Sequence, residues 1–355
     1  MPFTTPAFTD IRAAYLRDLR NMDPLVDTAS DSDAFVRGSA LGSAVEGLYQ
    51  HQGWITRQIF PDTADPEILE RHAATRGLRL KPAVSSAGLL SATGTPGVTL
   101  LPGLTFTAAD GRQYVVTDAT EIPPLGAINV PARALVAGIA GNAPAGLAGV
   151  WSLAPAGLDS NAEIVEMIGG ADGETHASLL DRLLFLIRRP PAGGNKYDYI
   201  RWARDVPGVS QAYSYPLRRG LGTIDVAIVT EGGLPSAETI QAAQDYIESV
   251  RPVTAKNCLV IAPDLVTTDV VVQVRRSGVT LPIATSAIDG VLLAQFAGLA
   301  PGVTWVRSQA EGQVSALAGI VDRNIITPVA NVVPVVDATT VQWIQAGTLT
   351  VEDMP

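Results

Sequence analysis

The 355-residue sequence predicts a multidomain α+β protein, and three observations lead to this class. Apolar residues recur at helical spacing in the N-terminal part of the chain. A stretch rich in Gly, Thr, Val and Pro follows, in which short runs alternate between apolar and polar residues. Beyond it, similar runs are interleaved with amphipathic helical segments. The predicted organisation is a helical N-terminal region over residues 1–80, a small all-β module over 81–168, a central α+β module over 169–265 and a C-terminal α+β module over 266–355.

Two helices are predicted in the N-terminal region. Over residues 31–60, apolar positions such as Leu41 and Leu48 recur at roughly helical spacing. Pro61 then ends the helix, because proline lacks the amide that the helix needs. A shorter helix is predicted in TADPEILERHAATRGL, where a proline suits the first turn and a glycine closes the last one.

Short strands account for the second module. The runs AGLLSATG, GVTLLPGLTFTA, RQYVVTDA and AINVPARALVAG are rich in β-formers and are separated by turn residues. This spacing is typical of a small all-β module. The segment GNAPAGLAG, residues 141–149, is predicted to be an exposed loop.

The C-terminal modules are predicted to have β-β-α-β-β character. After GGADGE, the segment THASLLDRLLFLIRR forms an amphipathic helix whose apolar stripe runs from Leu179 to Ile187. The central unit continues with two strands, in SQAYSYP and in the alternating run TIDVAIV. A helix follows in PSAETIQAAQDYIESV, and the unit ends with strands in CLVIAP and TTDVVVQVRR. The last module repeats part of this in weaker form, with helices near 283–299 and 309–317 and strand-like segments AGIVDRNIITP and VANVVPVV.

Composition argues against several classes of function. The net charge of −10 is opposite to the basic face that a nucleic-acid-binding chain needs. No apolar run reaches the roughly 18 residues of a membrane span, and no secretory signal opens the chain. We therefore expect no nucleic-acid partner and no membrane, and a soluble protein made in the cytoplasm. The single Cys258, in NCLVIAP, is predicted to be a buried strand thiol.

Catalytic motifs are missing from the sequence. The three histidines form no HExxH and no i,i+4 pair, and neither GxSxG nor a phosphate-binding glycine loop is present. A triad assembled from distant residues remains open. Asp172 and Glu174 could act as a metal or acid/base pair, but acidic residues are expected beside a helix start anyway. The sequence thus predicts no enzyme activity, no metal and no cofactor.

The segment RRPPAGGNKYDYIRWARDVPGV, residues 188–209, is the densest candidate functional stretch. Its prolines fix an extended entry, its glycines permit a reversal, and an asparagine stands where a helix N-cap is wanted. Its cations, with Arg218 and Arg219 nearby, form a basic patch on an acidic chain; they are Arg188, Arg189, Lys196, Arg201 and Arg204. We interpret the segment as a joint or an interface, with Asp198 and Asp205 expected to pair with arginine on the helix. The candidate residues are Pro190, Pro191, Gly193, Gly194, Asn195, Tyr197, Tyr199, Arg201, Trp202 and Arg204.

These motifs resemble the baseplate J-like family of contractile phage tails. The resemblance rests on GGADGE, LLDRLL, the run from RRPPAGGN to TIDVAIV, and ESVRPVTA, and covers roughly residues 57–274. It implies a structural, non-enzymatic subunit of the virion tail baseplate that forms wedges around the hub. Neighbouring copies would link into a ring that rearranges when the tail contracts.

The same resemblance implies a set of partners. They are other copies of the chain, a second wedge protein and a small wedge protein of lysozyme-like fold near the sheath, with hub and sheath proteins contacted indirectly. The helices at 31–60 and 179–189 are further candidate interfaces. Two alternatives stay open: a tail-associated hydrolase of polysaccharide or peptidoglycan, and a nucleic-acid-binding module with Tyr197 and Trp202 as stacking platforms.

Overall fold

The structure is a computed structural model that describes residues 4–231 and 233–354. Residues 1–80 and 175–185 form one compact unit, and residues 81–174 and 186–355 form the other. The mixed α+β class predicted from the sequence is confirmed. None of the described helices is both long enough and apolar enough to cross a membrane.

The first unit is helical, as predicted. Its helices are α1 (Phe8–Met22), α2 (Asp33–Ile59), α3 (Pro66–Ala74) and the first turns of α4 (His176–Arg188). The hydroxyl of Ser32 caps α2 by accepting the amide of Phe35. Leu179 and Leu183 of α4 are buried, whereas Ile187 is exposed, so the buried stripe is shorter than the sequence suggests.

Helices α1 and α2 pack through small residues. A Cβ at Gly38 would lie 2.8 Å from the ring of Tyr15, and one at Gly42 would lie 3.3 Å from the ring of Phe8. The leucines that predict α2 do not form a core, because Leu41 is 46% exposed and Leu48 is 62% exposed.

The second unit begins with a closed six-stranded barrel in the order β1-β6-β4-β3-β7-β8. Phe106, Tyr114 and Trp151 fill it, with the Phe106 and Trp151 ring centroids 5.5 Å apart. The exposed loop predicted at 141–149 is wrong in part, because Gly141 and Ala143 are buried and a strand starts at Ala148. The strands of this module are β1 (Ala87–Thr93), β2 (Thr99–Leu100), β3 (Thr105–Ala108), β4 (Gln113–Val116), β5 (Thr120–Glu121), β6 (Ala127–Ala134), β7 (Ala148–Trp151) and β8 (Asn161–Ile168).

The central sheet has three strands in the order β11-β10-β9, with β10 parallel to β11 and antiparallel to β9. Every residue of β10 is buried, so this strand is covered on both faces and does not show the predicted alternation. The elements are α5 (Lys196–Asp205), β9 (Gln211–Pro216), β10 (Thr223–Val229), α6 (Ala237–Val250) and β11 (Asn257–Ile261).

The C-terminal sheet has the order β13-β12-β14. The predicted β-β-α-β-β order of elements is present, but its last strand, β12, pairs within this sheet and not with the central one. The strand expected in VANVVPVV forms only isolated bridges at Val332 and Val336, and the strand beside β12 is the later β14. The elements are β12 (Asp264–Arg276), α7 (Leu281–Ala297), α8 (Arg307–Ser315), β13 (Ile320–Thr327) and β14 (Gln342–Asp353).

Candidate functional site

The loop that enters α5 is organised by one buried carboxylate. Oδ2 of Asp198 accepts the amides of Ala192, Gly194 and Asn195, at 3.1, 2.7 and 3.2 Å. In return, Oδ1 of Asn195 accepts the amides of Tyr197 and Asp198 at 2.8 and 3.0 Å. Asn195 is therefore the N-cap that the sequence predicts, within a reciprocal capping box.

The glycines in this loop have backbone conformations that side chains rarely adopt. Gly193 has φ +77° and Gly194 has φ +111°. A Cβ at Gly194 would also lie 2.6 Å from Cγ of Pro252, so the loop passes close to the segment that follows α6. Pro190 and Pro191 are exposed at the entry to the turn. The sharp reversal expected from this sequence is present.

Two of the candidate aromatic residues belong to the core. Tyr199 and Trp202 contact each other edge to face with ring centroids 4.9 Å apart, and both are buried. They pack in the cluster that contains Val226 and Ile247. Their rings thus hold α5 against the central sheet, together with Val206 at the end of the helix.

The candidate cations are placed in two different environments. Nη2 of Arg201 lies 3.4 Å from Oδ1 of Asp198, as the sequence predicts, and Arg204 is buried. The carbonyls of Arg204 and Val209 accept hydrogen bonds from Nζ of Lys81, at 3.0 and 2.6 Å. The positive charge of Lys81 beside the Arg204 carbonyl, in the last turn of α5, also interacts favourably with the negative end of the helix dipole.

Two of the remaining cations lie over the ring of Tyr197. The guanidinium of Arg189 lies 4.3 Å from the ring centroid, and Nζ of Lys196 lies 5.0 Å from it. Arg188, Arg189 and Lys196 are exposed. We call these three residues with Tyr197 the basic surface.

Arg218 and Arg219 do not join the basic surface, which corrects the sequence interpretation. Nε of Arg218 lies 2.6 Å from one oxygen of the fully buried Asp225, and Nη2 of Arg219 lies 2.7 Å from the other. The hydrogen bond that Arg219 donates to the Asp225 carboxylate raises the pKa of the Arg219 guanidinium. Nη1 of Arg218 also donates to the carbonyls of Asp337 and Thr340, at 2.9 and 3.1 Å. Arg218 therefore connects the central sheet to the loop before β14, whereas Arg219 donates to Asn257 within the central sheet at 2.7 Å.

The carboxylates proposed for a hydrolase bind backbone. Oδ1 of Asp172 accepts the amide of Ile139 at 2.9 Å, and Oε2 of Glu174 accepts the amide of Lys81 at 3.1 Å. The hydroxyl of Thr175 accepts the amide of Ser178 at the start of α4, so this residue, and not the acidic pair, provides the side-chain cap seen there. Both carboxylates have backbone partners, which weakens their assignment as an acid/base pair.

The histidines and the cysteine do not converge. His51 stacks on Trp54, His72 contacts the carbonyl of Gln58, and His176 contacts a glutamate of α3. Burial raises the pKa of Cys258 to about 12, so this strand thiol is protonated at neutral pH. Within residues 4–231 and 233–354, no group of three or more His, Cys, Asp or Glu is placed to hold a metal ion.

Comparison with known proteins decides the family. The Baseplate J-like protein barrel domain matches residues 89–170, and the Baseplate J-like central domain matches residues 191–262. The Mu-like prophage FluMu protein gp47 of Haemophilus influenzae is 31% identical over 298 residues, which cover 81% of this chain and 83% of that protein. The chain belongs to the baseplate J-like family. The resemblance seen in the sequence motifs is thereby confirmed.

Other baseplate proteins are similar over parts of the chain. Baseplate protein gp47 of Escherichia phage Mu is 36% identical over 205 residues, which are 57% of this chain and 57% of that one. The baseplate of the anti-feeding prophage contains a chain that aligns over 93% of this one and 90% of its own length, with a TM-score of 0.37 and 12% identity. This chain is a baseplate J-like protein, and its relative from phage Mu is named as a baseplate protein.

Proposed function

We propose that the chain is a structural wedge subunit of a contractile tail baseplate. In this role it packs with other copies of itself and with a second wedge protein, and the wedges link into a ring around the hub. A small wedge protein of lysozyme-like fold lies beside it near the sheath, and the ring rearranges when the sheath contracts. The protein is made in the host cytoplasm and acts without catalysing a reaction.

The exposed apolar surface of the α1–α2 hairpin carries this proposal. Helix α2 has 27 residues and so is roughly 40 Å long. None of the described residues of α1 is buried, and α2 buries only Gly38, Gly42 and Gln58. Many large apolar side chains exposed on one hairpin are typical of an interaction site. The exposed apolar residues of the hairpin and its ends are Met22, Leu25, Val36, Leu41, Leu48, Trp54, Ile55, Ile59 and Phe60.

Burial of this surface in an assembly would supply a large driving force. Complete burial of one Leu or Ile side chain is worth roughly 1.5–3 kcal/mol. A helical hairpin without a buried apolar side chain gains little from its own packing, since helix stability in proteins comes mainly from a packed face. The hairpin is therefore suited to join a larger helical bundle supplied by neighbouring subunits. The basic surface on α5 offers a separate, charged contact.

Native mass spectrometry of the chain, co-expressed with the reading frames beside it, tests the proposal. We expect a complex that contains two copies of this chain and one of a neighbour. The double variant Leu48→Glu/Ile55→Glu should abolish that complex, because it places charges on the apolar side of α2. Leu125→Glu is the matched control, since Leu125 is an exposed leucine of the barrel module and should leave assembly unchanged. A monomer that ignores every neighbour would refute the wedge function.

A further inference from the structure

The outer edge of β14 is unpaired along most of its length. In the order β13-β12-β14 the strand has a neighbour on one side only. Near its start, the carbonyl of Val341 accepts the amide of Asp264. Successive residues of a strand turn their amide and carbonyl groups to opposite sides, so alternate residues point away from β12. A bulge at Gly347 and Thr348 shifts this alternation by one residue. From Gln342 to Val351, the outward residues are Gln342, Ile344, Ala346, Leu349 and Val351.

Only the first of these outward residues is satisfied within the chain. The amide of Gln342 donates to Val335 at 3.0 Å, and its carbonyl accepts from Gly302 at 2.8 Å. The outward amides and carbonyls from Ile344 to Val351 have no hydrogen-bond partner among the described residues. An open edge of this kind is a template for pairing with another strand.

The central sheet shows how the same chain closes an edge. The side-chain amide of Gln244 on α6 donates to the carbonyl of Cys258 at 3.0 Å and accepts the amide of Val260 at 2.7 Å. This one side chain occupies the outer edge of β11. No outward position of β14 between 344 and 351 holds a lysine or proline, the residues that commonly protect an edge.

The outward groups of β14 are arranged symmetrically about the bulge. When two copies of the strand run antiparallel around an axis between Gly347 and Thr348, Ile344 faces Val351 and Ala346 faces Leu349. All four residues turn their backbone groups outward, so they form hydrogen-bonded pairs in this register. Their side chains lie on the face that packs against the C-terminal core. Apolar residues therefore meet apolar residues across the new pair, which stabilises it.

The opposite face is also compatible with this register. Gln345 would face Thr350, and Trp343 would face Glu352, so no like charges are opposed. The bulge itself is held by the carboxylate of Asp269, whose Oδ1 accepts the amide of Thr348 at 2.7 Å. The hydrogen bond to Asp269 thus holds in place the bulge that makes the outward residues symmetric.

Helix α7 packs on β14 and is apolar on its solvent side as well. Nε1 of Trp343 donates to the carbonyl of Leu299, just beyond the helix, at 2.8 Å. Asp289 is the only ionisable residue of α7. Leu293 is 50% exposed and Ile283 is 60% exposed. A helix that is hydrophobic on all sides is normally buried, so this surface also lacks its cover.

Unpaired polar atoms lie on the same two elements. Oδ1 of Asp289, Oε1 of Gln295 and Nε2 of Gln345 are buried and have no hydrogen-bond partner in the described residues. Burial also raises the pKa of the Asp289 carboxyl. Buried polar groups are nearly always hydrogen-bonded, and a second polypeptide beside β14 would bring donors and acceptors to this edge.

We propose that two copies of this chain pair through β14, antiparallel and centred between Gly347 and Thr348, to form a continuous six-stranded sheet flanked by the two α7 helices. The pairing specifies one surface for the self-association that the wedge function requires, and in that respect it rests on the proposed function. Its structural basis is the β14 edge, which is separate from the α1–α2 hairpin.

The first test measures the mass of the purified full chain by sedimentation equilibrium. Every protein in this test also carries Leu48→Glu/Ile55→Glu, which removes association through the hairpin; this double variant is the background chain. We expect twice the monomer mass, reduced to the monomer mass by Leu293→Glu. Ala346→Pro should have the same effect, because it removes an outward amide without removing a bond to β12. Val321→Glu, at a 65% exposed valine on the opposite edge strand, should remain dimeric. A monomer in the background chain, or a dimer that survives Ala346→Pro, would overturn the pairing.

The second test fixes the register and is independent of the first. In Gln345→Cys/Thr350→Cys, each new thiol faces the other one on the second copy in a non-hydrogen-bonded pair, where Cβ atoms are about 4.5–5.5 Å apart. Within one strand these positions are roughly 16 Å apart, so no bridge forms inside a single chain. We expect a covalent dimer on a non-reducing gel from this variant and none from Gln345→Cys/Glu352→Cys. The reverse result, or no dimer from either, would refute the register.

The two proposals fail separately. If the β14 variants leave mass and crosslinking unchanged while the chain still assembles with its neighbours, only the β14 pairing is wrong. If the neighbours do not assemble with a chain that pairs through β14, the wedge function is wrong and the pairing stands.

Discussion

Replacing Asp225 with asparagine should destabilise the chain by about 3–5 kcal/mol, the cost of removing one partner from a buried ion pair. Asp225 lies within β10 and has no exposed surface. Its two oxygens lie 2.6 and 2.7 Å from nitrogens of Arg218 and Arg219. The side chain of Arg218 is only 5% exposed, so the charge left behind has little access to water.

Asp225→Asn should lower the stability of the whole chain and also loosen the loop before β14. Arg218 also donates to the carbonyls of Asp337 and Thr340, so the loop before β14 depends on the position of this guanidinium. Urea unfolding, together with amide hydrogen exchange of residues 337–341, measures both effects. Asp245→Asn is the matched control, because the Asp245 carboxylate is exposed on α6, where it accepts a hydrogen bond from Gln241.

A second variant distinguishes two causes of the destabilisation: loss of the ion-pair attraction, and the cost of leaving a buried arginine without its carboxylate. Asp225→Leu/Arg218→Met removes the most deeply buried cation together with its anion, and Arg219 is exposed enough to turn toward water. We expect the double variant to recover much of the stability, as replacing a buried ion pair by apolar residues is often neutral. A loss below about 1 kcal/mol for Asp225→Asn, with unchanged exchange in the loop, would refute this account.

Two further predictions concern the central module. Asp198→Asn should speed amide exchange at Ala192 and Gly194 and cost about 2–3 kcal/mol, because a buried charged acceptor of several amides is lost; exchange at the level of the parent chain would contradict this. Cys258 should react with a thiol reagent only after denaturation at pH 8. Since burial raises its folded pKa to about 12 from 9.0, folding stability should also fall as the pH rises from about 9 to 12, and a Cys258→Ala variant should lack that contribution.

Local sequence rules succeeded where a structure is determined by neighbouring residues. Pro61 marks the end of α2 to within two residues, and Asn195 caps α5 through its own side chain. The capping role of Asp198 is predictable from the sequence, because Asp198 stands three residues after the N-cap. Its pairing with Arg201 was predicted, but its contact with the amide of Ala192 depends on the path of the loop.

Pairing between distant segments could not be inferred in the same way. β12 resembles the strands before it, yet its partners are β13 and β14, which follow it by tens of residues. Arg218 and Arg219 were assigned to a basic patch because composition does not show that Asp225 lies beneath them. The periodicity of α2 predicted the helix but not whether its leucines would be covered, since helical spacing is the same for a core and for an interface.

The polar side chains Asp198 and Asn195 of the segment 188–209 are hydrogen-bonded to backbone amides of the protein, which fits a joint better than a catalytic site. A catalytic centre needs groups that converge on open space, with a nucleophile or an acid within reach of a substrate. Here the carboxylate of Asp198 and the amide oxygen of Asn195 are committed to backbone amides. Nζ of Lys81 donates to the carbonyl of Arg204 in the last turn of α5 and to that of Val209 beyond the helix. What remains exposed is the basic surface at Tyr197, with Arg188, Arg189 and Lys196 open to solvent.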